Sequence, residues 1–101
     1  MSDGEADRMV VFRDMGLSHR EFFRSLQTLA REWQCQIRND GVLIDYDGGE
    51  IDIALGKEGR RRIAAMSLPR TEVRFCFSRL SSLQRKKFFY RFDLAYRRGG
   101  G

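Results

Sequence analysis

Four carboxylates fall within eight residues: Asp45, Asp47, Glu50 and Asp52. Side chains of this type at this density suit a hard cation, a basic partner, or acid–base work if their environments differ. With Gly48-Gly49 as a two-residue hairpin turn, Asp47 opposes Glu50 and Asp45 opposes Asp52. Directly opposed like charges destabilise a strand pair, so something must relieve them. The alternatives are a metal, a docked basic surface, or a solvated hairpin partly neutralised by Arg61. The stretch does not complete a calcium-binding loop, which needs a third acidic position ahead of the glycine and a closing Glu. No metal ligand set is therefore assigned.

The second chemical group is cationic. The chain holds 16 Arg and 3 Lys, and the formal net charge is +5. Residues 1–50 hold 6 Arg against 10 Asp and Glu, whereas residues 51–101 hold 13 Arg and Lys against 4 Asp and Glu. Such asymmetry implies opposed acidic and basic surfaces. Arg60, Arg61, Arg62 and Arg74 form the expected anion-binding set. Arginine binds phosphate or carboxylate bidentately, and clustered cations give sequence-independent affinity for nucleic acid. No RNA-recognition sheet motif, zinc finger, KH loop or helix-turn-helix pair accompanies them.

Nucleophile chemistry has little to work with. The single histidine, His19, falls in the first turn of a helix without an Asp or Ser partner in sequence, and reads as an exposed helix-start residue. Cys35 and Cys76 fall in two strands and face opposite sides of one sheet, so they do not bridge. No glycine pattern forms a phosphate loop, because Gly48-Gly49 joins two strands rather than a strand and a helix. No catalytic residue, cofactor or small-molecule substrate is assigned, and the reading is non-enzymatic.

The elements that position these groups follow from periodicity. At 101 residues the chain has room for one core, and its 12% aromatic content (eight Phe, three Tyr, one Trp) can fill it. The first helix opens at Ser18, with Glu21 completing a capping box and Leu17 and Phe22 forming a hydrophobic staple. Phe22, Leu26, Leu29, Ala30 and Trp33 make its buried stripe. From residue 34 the period changes to two. Turns at Asp40-Gly41, Gly48-Gly49, 56–59 and Pro69-Arg70 cut out strands at 34–39, 42–47, 50–55, 60–68 and 71–77. Their common apolar face collects Cys35, Ile37, Val42, Ile44, Tyr46, Ile51, Ile53, Leu55, Ala64, Met66, Val73, Phe75 and Phe77.

Ser81 and Gln84 open the last helix with a second capping box. Phe88, Phe89, Phe92, Ala95 and Tyr96 form its core stripe. Its opposite face carries Leu83, Lys86, Lys87, Tyr90, Leu94 and Arg97, a basic-aromatic surface that a simple surface helix does not need. Either the short run Met9–Phe12 folds over it, or it meets another protein. These elements predict a two-layer α+β sandwich, α-β-β-β-β-β-α. A five-stranded antiparallel meander carries both helices on one face. Residues 1–8 read as a disordered polar tail, 9–98 as the domain and 99–101 as a flexible glycine tail.

The helix–sheet–helix order, with its hairpin Asn39-Asp40-Gly41-Val42-Leu43-Ile44, resembles the frataxin-type sandwich. The first helix here carries arginines where frataxins are acidic, and the sheet lacks their Trp, so iron binding is not carried over. The ending Tyr96-Arg97-Arg98-Gly99-Gly100-Gly101 resembles the tail of ubiquitin-like modifiers and sulfur carriers, but it follows a helix rather than a strand.

No stretch approaches a membrane span, residues 1–7 are polar rather than a signal peptide, and two lone thiols fit a reducing cytoplasm. The sequence thus reads as a cytoplasmic interaction module. It docks a protein partner or a second copy of itself through the last helix and the charged sheet face. Nucleic acid is the alternative partner; a membrane is not expected.

Overall fold

The computed structural model describes residues 8–99. It contains β1 (Arg8–Met15), α1 (His19–Leu29), β2 (Gln34–Arg38), β3 (Gly41–Tyr46), β4 (Gly49–Ile63), β5 (Met66–Ser78) and α2 (Ser82–Gly99). The five strands form one open antiparallel sheet in the order β1-β5-β4-β3-β2. Both helices cover one face, which makes an α+β two-layer sandwich. Strands β2 to β5 are a meander, while β1 reaches the far edge beside β5 and α1 carries the chain across.

The helices begin where capping chemistry starts them. Ser18 Oγ accepts from the Glu21 amide (3.1 Å) and the Glu21 carboxylate accepts from the Ser18 amide (2.9 Å). Ser81 and Gln84 repeat the pattern at α2. The core lies between layers. Phe22, Leu26 and Leu29 of α1 and Phe88 and Phe92 of α2 are fully buried against Val42, Ile44, Ile51, Ile53, Val73, Phe75 and Phe77. Phe75 meets Phe89 and Phe92 edge-on, with centroids 5.0 and 5.2 Å apart. Tyr96 is buried too, and its hydroxyl donates to the Phe22 carbonyl at 2.9 Å, locking the two helices together.

Several expected boundaries move. The run Met9–Phe12 is the centre of β1, so a strand precedes α1 and the helix–sheet–helix order behind the frataxin-type resemblance does not hold. The strand begins at Arg8, inside the expected tail; residues 1–7 lie outside the described residues. α1 ends at Leu29, and Trp33 packs from the following turn against Tyr46 and Phe88. The expected strand 50–55 is the first part of β4, whereas 60–68 spans the end of β4, the turn and the start of β5; one bulge interrupts β4 between Leu55 and Glu58. Pro69 does not turn the chain; it pairs with Arg60 inside β5. There β5 has already lost β1 as a neighbour, and such an edge position tolerates a residue without an amide hydrogen. The turn lies at Ala64-Ala65 instead, with Ala64 at φ 56°. Ala64 and Met66 are consequently exposed at a hairpin tip rather than in the core, and Ile37 is exposed on the edge strand β2.

Past Glu58 and Thr71 only β4 and β5 remain paired, so they project as a two-stranded ribbon. The ribbon stretches the molecule to 52 × 29 × 24 Å.

Candidate docking surfaces

The outer face of α2 is built by its heptad-like spacing. Phe88, Phe92 and Tyr96 turn inward, which leaves Leu83, Tyr90 and Leu94 on the opposite side, 59%, 71% and 38% exposed. Lys86, Lys87 and Arg97 are exposed along the same stripe. The expected cover, Met9–Phe12, is committed to the sheet, and no described element packs on this face. All six residues expected there are brought together.

The carboxylates are not. All four lie off the core face, but the register differs by two residues from the expected one. Asp45 faces Glu50, Leu43 faces Asp52, and the turn is Asp47-Gly48. Asp47 (φ 47°) and Gly48 (φ 87°) both take the left-handed conformation that a tight hairpin of this hand requires. Gly49 is no turn residue: it is buried, and a Cβ there would lie 2.7 Å from the Arg79 carbonyl oxygen. Asp47 accepts from Gln84 Nε2 at 2.8 Å, at the start of α2. Asp52 pairs with Arg38 across the sheet face at 2.7 Å. Only Asp45 and Glu50 remain opposed, beside Gln34 and Gln36. Among the described residues no three acidic, His or Cys side chains group as a metal site.

Nor does Arg61 neutralise that hairpin. Arg61 and Arg70 hold Asp14 of β1, at 3.0 and 2.9 Å, where the ribbon leaves the sheet. Arg60 bonds Ser67 across the ribbon (2.8 Å). Arg62 and Arg74 form no ion pair among the described residues. Arg74 lies on the sheet body between Phe12 and Ala54, six residues along β5 from the partner of Arg61, roughly 20 Å away. The expected anion-binding set is therefore split between ribbon and sheet.

The uncovered sheet face has an apolar side that sequence reasoning missed. Val10 and Phe12, 47% and 60% exposed, lie beside Cys76 and Arg74. The ribbon continues this face with Ile63, Met66 and Leu68, all exposed. The four-residue run of β1 was the available signal, but too short to reveal which face it would present.

The remaining reactive groups serve the fold. Cys35 and Cys76 are free and lie on opposite faces of the sheet, as expected. Burial pushes the Cys35 thiol up, away from thiolate chemistry. His19 is half-buried rather than exposed. Its ring Nε2–H donates to the Gly56 carbonyl at 2.7 Å, and its backbone amide donates to Glu58. Arg91 holds Glu32 in a bidentate pair that lowers the carboxyl below its usual range and ties the turn after α1 to α2. Arg24, Arg91 and Arg97 line a hollow of about 600 Å³ between the helices, which the sequence did not reveal.

The tail expectation falls mostly outside the described residues. The helix runs to Gly99, and residues 100–101 are not described. Among the described residues no helix is long and apolar enough to cross a membrane. Comparison of the chain with family models, curated proteins and solved structures gave no match.

Proposed function

We infer that the protein is a non-enzymatic cytoplasmic module that docks a protein partner on the outer face of α2. One observation carries this: Leu83, Tyr90 and Leu94 form a continuous exposed stripe on a helix whose other side is fully used by the core. Tyrosine at an apolar centre is an efficient anchor, and flanking cations steer an oppositely charged partner toward it. Lys86, Lys87 and Arg97 supply those cations, so the partner segment is amphipathic and acidic.

The ribbon supports a second reading, in which nucleic acid is the ligand. Arg60, Arg61 and Arg62 project from the body on β4 of the two-stranded ribbon, a shape that fits a DNA groove. Affinity of that kind falls steeply with salt through counterion release.

One titration separates the two. Backbone amide spectra are recorded with a synthetic acidic amphipathic helical peptide, and separately with a short duplex DNA, each at low and moderate salt. The docking reading expects the peptide to shift Leu83, Lys87, Tyr90 and Leu94 together, and Tyr90→Ala to weaken binding by about 2 kcal/mol. Shifts confined to Arg60–Arg62 with DNA, fading with salt, transfer the assignment to nucleic acid. No shift on α2 with the peptide overturns the docking reading.

A further inference from the structure

An open sheet has two edges, and the two edges of this one differ. At one side β2 spans five residues, Gln34–Arg38, with three polar or charged positions and a turn directly after it. Short, polar edges of that kind resist pairing. At the other side β1 spans eight residues and pairs with β5 without interruption from Arg8↔Ser78 to Met15↔Thr71. It contains no proline, no bulge and no lysine, and its centre is Met9-Val10-Val11-Phe12. Its outer row of backbone groups has no strand partner among the described residues. Such an edge is a template for another strand.

The residues of β1 also match themselves. Two copies of β1 run antiparallel across a two-fold axis when residue i faces residue 22 − i. Val11 then faces Val11, and inner side chains stay with inner ones, as the sheet's pleat requires. Val10 faces the second copy's Phe12 on the open face, twice by symmetry. Arg8 faces the second copy's Asp14, also twice. Centring the pair one residue either way, on Val10 or Phe12, removes both ion pairs and sets a charge against an apolar residue. Asp14 already holds Arg61 and Arg70, but Glu72 sits directly opposite it on β5, so the second copy's Arg8 meets a balanced site rather than a positive one. The inward charge that guards many edges is already neutralised here. Arg13 is bound to Asp93 at 2.6 Å and lies 4.0 Å over the Phe89 ring.

We propose that β1 is a homodimer contact, through which two copies join edge to edge about Val11 into one continuous ten-stranded sheet. An isologous interface of this kind closes on itself and leaves outside the short β2 edges and the β4–β5 ribbons. It is independent of the α2 docking surface, which lies on the helical layer.

Sedimentation of the full chain across the micromolar range tests it. The expected species is a monomer–dimer equilibrium. Val10→Glu and Arg8→Asp each weaken the dimer about tenfold or more, since each is counted twice across the axis. Both residues are exposed, and the fold of each variant is checked by its amide spectrum. Leu83→Asp leaves the dimer unchanged while abolishing peptide docking, so the two surfaces fail separately. A chain that stays monomeric throughout, or a dimer indifferent to both β1 variants, overturns the proposal.

Discussion

A Cβ placed on Gly41 would run into the carbonyl oxygen of Ile53, so the position admits no side chain unless β4 moves. Backbone is the least yielding neighbour in a sheet, and overpacking against it costs about 3 kcal/mol. Ala64 is the opposite case, with a side chain held at φ 56° in the ribbon turn. Glycine relieves that conformation, which costs a non-glycine residue about 1 kcal/mol. Thermal unfolding of the two variants should therefore move in opposite directions, Gly41→Ala down and Ala64→Gly modestly up. At this scale the aspartates before Gly41 and Gly48 hide an ambiguity. Asp-Gly marks a turn, but the glycine of Asp40-Gly41 is a strand residue, while Asp47-Gly48 is the turn itself. The pattern of residue types is the same, and only the approach of β4 to Gly41 separates them.

At the scale of elements, α1 and α2 are joined by one buried phenol. Burial, with the nearby Cys35 adding to it, holds Tyr96 well above its ordinary 10.0. Below pH 10 the phenol keeps its proton in both folded and unfolded chains, and its contribution to stability is complete. As pH rises beyond 10 the unfolded chain releases the proton and the folded chain does not, so stability falls. Above that pH the wild type should lose up to about 1.4 kcal/mol per pH unit more than Tyr96→Phe. At neutral pH the variant should be weaker by about 1 kcal/mol, the bond to the Phe22 carbonyl. Urea titrations of both proteins at several pH values above 9 measure the difference, and parallel curves would contradict it. Both helices were legible because capping boxes and 3.6-residue stripes are local. β1 was not, because four apolar residues are compatible with either a strand or a covering segment.

For the whole molecule the decisive feature is the β4–β5 ribbon. The body strands 49–55 and 71–78 lie under the helices, whereas Gly59 to Arg70 have neither a helix nor a third strand beside them. Ribbon amides should therefore exchange through local opening, independent of denaturant. Those of Ile51, Ile53, Phe75 and Phe77 should exchange only with global unfolding. Native-state hydrogen exchange at increasing denaturant checks this; a common denaturant dependence would show one cooperative unit. The same feature divides the arginines, since Arg60–Arg62 travel with the ribbon and Arg74 with the body.

What the amino-acid sequence determined by itself is whatever depends on near neighbours. The two capped helices and the α2 stripe of Leu83, Tyr90 and Leu94 follow from spacing within one element, and the alternating core face of Val42, Ile44, Ile51, Ile53, Val73, Phe75 and Phe77 and the separated thiols follow from alternation along strands joined by short turns. The tertiary structure alone decided the partnership of distant segments. It placed Met9–Phe12 beside β5 rather than over α2, and it sent Asp47 to Gln84, Asp52 to Arg38 and Asp14 to two ribbon arginines. The physical reason is that charge and hydrogen-bond pairing depend on register. A register shift of two residues preserves every face while changing every partner.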